Sequence, residues 1–190
     1  MKVNPIALKE WDSTIKLLVE GGQILLLRKG GIKEETRSFE LKMDSFYLYP
    51  TYEHQRAELV KDKDQHYVEQ SLAGFEPNAP TIKLTAYAEV AADLEIRDLE
   101  QLEKLYPYHM WSEGMAAERL RWKAKEPVHV LLLRVYTLIE PSEIKVLPEY
   151  SGCRSWIELS PPPENKGMKP VLSDEKFESL CNEIKKAIQV

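Results

Sequence analysis

The junction Tyr49-Pro50-Thr51-Tyr52-Glu53-His54-Gln55 joins a strand-stopping proline to a residue type that caps helices. If a helix over 52–61 starts at Thr51, the free N–H groups of its first turn point past the strand end, an arrangement that favours anions. Arg28 and Lys29 leave a neighbouring apolar run, and on the same side they would complete a phosphate-sized corner. The plainer alternative is a capped helix with His54 at the surface and two ordinary strand-end charges. A second group lies at 118–125, Glu-Arg-Leu-Arg-Trp-Lys-Ala-Lys. On a helix, Met115, Arg119, Trp122 and Lys123 share one arc flanked by Ala116 and Leu120, while Arg121 points elsewhere. From Arg119 to Arg134 there are five cations and one acid, Glu126. Local positive charge beside an indole can grip a phosphate backbone and stack a base, with Arg134 joining the cations; the alternative buries Trp122 in the core.

Other patterns are weaker. Glu40-x-Lys42 on a strand would put a carboxylate and an ammonium on one face, as metal-dependent nucleases require, but the sole Asp upstream is Asp12, on an expected helix, and Glu34-Glu35 lie in a charged turn. The histidines His54, His66, His109 and His129 lack zinc-ligand spacing with each other or with the cysteines, and no glycine-rich nucleotide loop occurs. No cofactor and no metal are expected. Arg154 could activate the thiol of Cys153, yet no histidine is near in sequence, and a buried structural thiol is the expectation.

The elements that must position these groups follow from hydrophobic spacing. Leu8, Trp11, Ile15, Leu18 and Val19 fall on one face of a helix closed by Gly21-Gly22. Strands are expected near 23–28, 39–49, 81–90, 128–138 and 153–159, with a turn at Glu140-Pro141-Ser142. Helices are expected at 52–61, 98–105 and 112–124, the last capped by Ser112, and after Ser173, where Phe177, Leu180, Cys181, Ile184, Ala187 and Ile188 keep the helical period. Residues 62–80 read as a loop or inserted lobe, and 161–172 as a Pro-rich connection to the C-terminal helix. The order lacks regular strand–helix alternation, so the fold class is α+β: a single domain over 1–190 with a mixed, partly closed barrel or sheet flanked by helices.

Composition sets outer limits. The 190 residues hold 26 Lys and Arg against 31 Asp and Glu, a formal charge of −5, which excludes a binder whose whole surface is basic. The apolar runs at 24–27 and 128–133 fall well short of the roughly 20 residues of a membrane helix. No signal-like segment opens the chain, and only Cys153 and Cys181 could pair, so a cytoplasmic protein without membrane contact is expected.

The phrases Ala7-Leu8-Lys9-Glu10-Trp11, residues 24–32 (Ile-Leu-Leu-Leu-Arg-Lys-Gly-Gly-Ile), the 49–55 junction, Arg119-Leu120-Arg121-Trp122 and Gly152-Cys153-Arg154-Ser155-Trp156 together resemble the bacterial family called domain of unknown function 1802. The run from Trp111 through Lys125-Glu126-Pro127 into 128–136 and Ile139-Glu140-Pro141 is similar to the helix, strand and turn of PUA-like domains of the ASCH and EVE group. Ser45 to Tyr49 and Ala86 to Val90 would match two of their barrel strands. That resemblance implies a small mixed barrel that binds RNA or modified bases in a basic cleft, or hydrolyses a modified nucleoside. The leading expectation is a module for RNA, DNA or a nucleotide, with Arg28, Lys29, Arg119, Lys123 and Arg134 meeting phosphate, Tyr49, Trp111 or Trp122 stacking a base, and Thr51 and His54 at the anion corner. A hydrolase would instead use Lys29, Thr51 and Glu53, with Glu53 as general base. A protein-interaction domain using the aromatics is the remaining alternative, and the oligomeric state stays open.

Overall fold

The run Leu25-Leu26-Leu27 is apolar at every position because both faces of its strand are covered. Leu26 packs into an inner cluster, while Leu25 and Leu27 pack into an outer one under helices. The computed structural model describes residues 5–29, 39–122, 125–152, 154–164 and 166–189. Among these, the strands are β1 (Ile6–Trp11), β2 (Leu25–Arg28), β3 (Ser45–Thr51), β4 (Thr81–Ile96), β5 (Val128–Lys145), β6 (Trp156–Glu158) and β7 (Met168–Pro170). They form one sheet of order β2-β5-β4-β3-β1-β6, and β7 shares with β2 the second flank of β5. The β1–β3 pair is parallel and the others antiparallel, so the sheet is mixed. The helices are α1 (Asp12–Val19), α2 (Gln65–Ala73), α3 (Leu99–Lys104), α4 (Glu113–Arg121) and α5 (Asp174–Ile188), and the fold class is α+β.

The sheet curls without closing. Leu8 of β1, Leu26 of β2, Phe46 and Leu48 of β3, Ala86 and Ala88 of β4 and Leu131 and Leu133 of β5 meet in one buried cluster, which Ile15 and Leu18 of α1 and Phe39 complete. Residues from strands far apart in the sheet order can meet only if the sheet bends round them. Outside the curl, α2, α3, α4 and α5 cover the second apolar layer through Val68, Leu102, Ala116, Cys181 and Ile184. Register shifts between Leu84 and Ala86 and between Val90 and Ala92 give the long β4–β5 pair the local twist that bending needs.

Several expectations change. Leu8 and Trp11 belong to β1, and the first helix begins only at Asp12. Ala7 and Leu8 are both fully buried, on opposite faces of the strand, so no polar alternation marked it. Pro50 does not stop β3, which pairs with β4 only over Ser45 to Tyr47, so the missing N–H of Pro50 breaks no ladder there. Consequently no helix starts at Thr51: the chain turns through His54, whose φ is 65°, and reaches a short 3-10 turn at Ala57–Leu59. The stretch 62–80 holds α2, whose Tyr67, Val68 and Ser71 are buried. Glu40 and Lys42 are exposed and lie outside the strands. Pro141 is inside β5, where residues 138–141 have no partner on β4. Lys123, Cys153 and the 33–37 turn lie outside the described residues.

Candidate functional site

Curling brings the end of β2 against β1, although β5, β4 and β3 stand between them in the sheet. Arg28 spans this seam. Its Nη1 donates to the Lys9 carbonyl at 3.3 Å and to Glu10 Oε2 at 3.1 Å, and its Nη2 donates to Ser155 Oγ at 2.6 Å. Glu10 is only 6% exposed, and its Oε1 accepts the Trp11 N–H at 2.8 Å. A buried carboxylate is tolerable when it is paired and hydrogen-bonded, and here both conditions hold. Thr51 Oγ1 donates to the Glu10 carbonyl at 3.0 Å, tying the end of β3 to the same floor.

One wall is α4. Ser112 caps it, accepting the Met115 N–H at 3.4 Å, and the Ser112 N–H donates to Leu59 O at 3.0 Å. Its far end and the end of β2 hold each other: Arg119 donates to the Leu27 carbonyl, while Lys29 Nζ donates to the Leu120 carbonyl at 2.6 Å. A cation on a last-turn carbonyl suits the helix dipole. The Arg119 guanidinium lies 5.3 Å from the centre of the Trp111 ring, which packs edge-on to Trp11 at 4.9 Å. The opposite wall is made by Gly152, Arg154 and Ser155, with Lys9 Nζ donating to the carbonyls of Tyr150 at 2.8 Å and Gly152 at 2.9 Å.

Between these walls lies a cleft of about 750 Å³. Its described lining carries six Lys and Arg side chains, Lys9, Arg28, Lys29, Arg119, Arg121 and Arg154, against Glu10, Glu53 and Glu118. Burial pushes the Arg119 guanidinium down to about 10, with nearby Glu10 opposing and Arg28 adding to the effect; it stays cationic at neutral pH. Burial also lowers Lys29, against the pull of Glu126. The cations divide by partner. Lys9, Arg28, Lys29 and Arg119 each donate to backbone carbonyls, whereas Arg121 and Arg154 are exposed and have no partner among the described residues. Among the described lining residues, Arg121 and Arg154 are therefore the cations left open to solvent.

Of the residues singled out from the sequence, Arg28, Lys29, Thr51, Glu53, His54, Trp111, Arg119 and Trp122 all line this cleft. Tyr49 does not: it is buried in a third apolar cluster beside Tyr150, ring centres 5.9 Å apart, because the face of β3 that bears it is packed. Arg134 lies elsewhere, held by Asp174 at 2.6 Å and placed 5.0 Å over the Phe177 ring. Trp111 is too buried to stack a ligand, whereas Trp122 is 40% exposed. Arg119, expected at the surface, is half-buried. The anion corner loses its helix terminus, and the groups assigned to hydrolysis are directed apart, Lys29 to Leu120 and Thr51 to Glu10, with Glu53 exposed. Sequence reasoning missed Lys9, Glu10, Trp11, Arg121, Arg154 and Ser155 as lining residues. The signal for five of them is their place in the same short phrases as Trp156 and Ala7, whereas helical spacing turns Arg121 away from the arc.

A search of curated proteins finds no match. Among solved structures, the chain is similar to ASCH from Zymomonas mobilis, at 13% identity and a TM-score of 0.42 over 93% of each chain. A serine-to-alanine mutant of the same ASCH protein gives 14% identity and a TM-score of 0.44, covering 93% of this chain and 94% of that one. The family model described as Domain of unknown function (DUF1802) matches residues 7–183. Since the match takes in the seam, α4 and the opposite wall, which together build the cleft, this chain belongs to the DUF1802 family.

Proposed function

We propose that the cleft binds nucleic acid or a nucleotide, with phosphates at Arg121 and Arg154 and a base against Trp122. The observation that carries this reading is the gathering of six cations and the exposed indole of Trp122 in one cleft of a chain whose net charge is −5. A protein that is acidic overall but locally cationic concentrates anionic ligands at that one place. Aromatic side chains beside cations let bases stack while phosphates are neutralised, which is how single strands are held without base-pair readout. The similarity of the 111–141 stretch to PUA-like domains agrees with this reading.

Tryptophan emission tests it, because three of the four Trp residues line the cleft. Short single-stranded RNA or DNA at low salt should quench the emission of the wild type. Trp122→Ala should remove most of the quench and weaken binding about tenfold or more, the range expected for one stacked base. Undiminished quench and affinity in that variant would contradict the assignment.

A further inference from the structure

We propose that Glu10 makes the cleft selective for a guanine base, an inference that rests on the nucleotide reading above. Glu10 is the one buried acid among the described lining residues, since Glu53 and Glu118 are exposed. Its role at the seam does not exhaust its bonding. A carboxylate offers about four acceptor positions. The described partners take one on each oxygen, the Trp11 N–H on Oε1 and Arg28 on Oε2. Each oxygen therefore retains capacity for a further donor, and Glu10 lines the cleft.

Two acceptors side by side on a rigidly held carboxylate match a ligand edge with two donors side by side. Among the common bases, guanine has such an edge, with its ring N1–H next to its exocyclic amino group. Adenine and cytosine offer one amino group beside an acceptor nitrogen. Uracil offers a single imino N–H between two carbonyl oxygens, which a carboxylate repels. The remaining group on the guanine edge is a carbonyl oxygen, and the arginines around Glu10 suit it: Arg28 is on the carboxylate at 3.1 Å, and Arg119 is close enough for the two charges to interact. A phosphate at this floor would instead meet a buried negative charge, while Arg121 and Arg154 stand exposed at the rim without a described partner. Phosphate outward and guanine inward is thus the orientation in which every charge is complemented.

The test uses the full chain and ligands of equal charge. GMP, IMP, AMP, CMP and UMP are competed against a fluorescent single-stranded oligonucleotide bound to the wild type. GMP should displace it at least about tenfold better than AMP, CMP or UMP, the lower end of what one bidentate base contact contributes to discrimination. IMP keeps the N1–H and lacks the amino group, so it should lose most of that margin. Glu10→Gln should bring the five within about twofold of one another, whereas Glu118→Gln, an exposed acid of the same cleft, should leave the ranking intact. Should Glu10→Gln fail to fold, the wild-type ranking with its GMP–IMP contrast decides alone. Equal competition by all five, or IMP matching GMP, would overturn the guanine assignment while leaving nucleotide binding in place. An oligonucleotide that does not bind the wild type at any salt concentration would overturn the underlying reading as well.

Discussion

At the scale of single residues, Arg28 has two roles that pull in the same direction. It joins the two ends of an unclosed sheet, and it neutralises Glu10 at the floor of the cleft. Removing one partner of a buried ion pair leaves the other uncompensated, which costs about 3–5 kcal/mol. With side chains only 15% and 6% exposed, this pair falls under that rule, so Arg28→Ala should lower unfolding free energy in urea by about 3 kcal/mol. His109 gives a prediction of opposite kind. It is 3% exposed, neither ring nitrogen has a hydrogen-bond partner among the described residues, and burial, then the Lys61 charge, push its pKa from 6.5 down to about 3. Between those values the unfolded chain binds a proton that the folded one refuses. The contribution of His109 is therefore whole above about pH 6.5 and is lost as pH falls toward 3. Thermal melts across that window should show a shallower acid limb for His109→Phe than for the wild type, and an identical limb would contradict the assignment.

At the scale of elements, what the sequence revealed depended on whether one face or two were buried. The helix after Ser173 has a one-sided apolar face and a capping serine, so its position was legible. Ser173 Oγ accepts the Lys176 N–H at 3.3 Å, and Ser173→Ala should cost about 1 kcal/mol in thermal unfolding without changing ligand affinity. In contrast, β1 runs straight into α1, and Leu8 and Trp11 fall by coincidence on the helical spacing of Ile15 and Leu18. Helical spacing at Leu8 and Trp11 masks the strand that carries Lys9 and Glu10 to the floor of the cleft. Trp122, Arg119 and Arg28 were legible as candidates because large aromatics and cations at element ends are recognisable by type. That Arg119 holds Leu27 and Lys29 holds Leu120 was not, because those contacts span 92 and 91 residues and no local pattern encodes them.

At the scale of the whole molecule, a net acidic chain folds so that cations from β1, the end of β2 and α4 share one cleft with Arg154. Among the described residues, no helix is long and apolar enough to cross a membrane. The division between cations that hold the scaffold and cations that face the opening separates fold from binding, and that separation can be measured. On the proposed reading, Arg121 and Arg154 meet phosphate. The direct measurement is the salt dependence of single-stranded oligonucleotide binding, by fluorescence anisotropy, for the wild type and for the Arg121→Ala/Arg154→Ala double variant. The wild type should lose affinity linearly in log salt, and the double variant should keep its melting temperature while its slope falls by about 0.7 for each arginine removed. A slope that does not change in the double variant, or a wild type with no salt-dependent binding, would contradict the account.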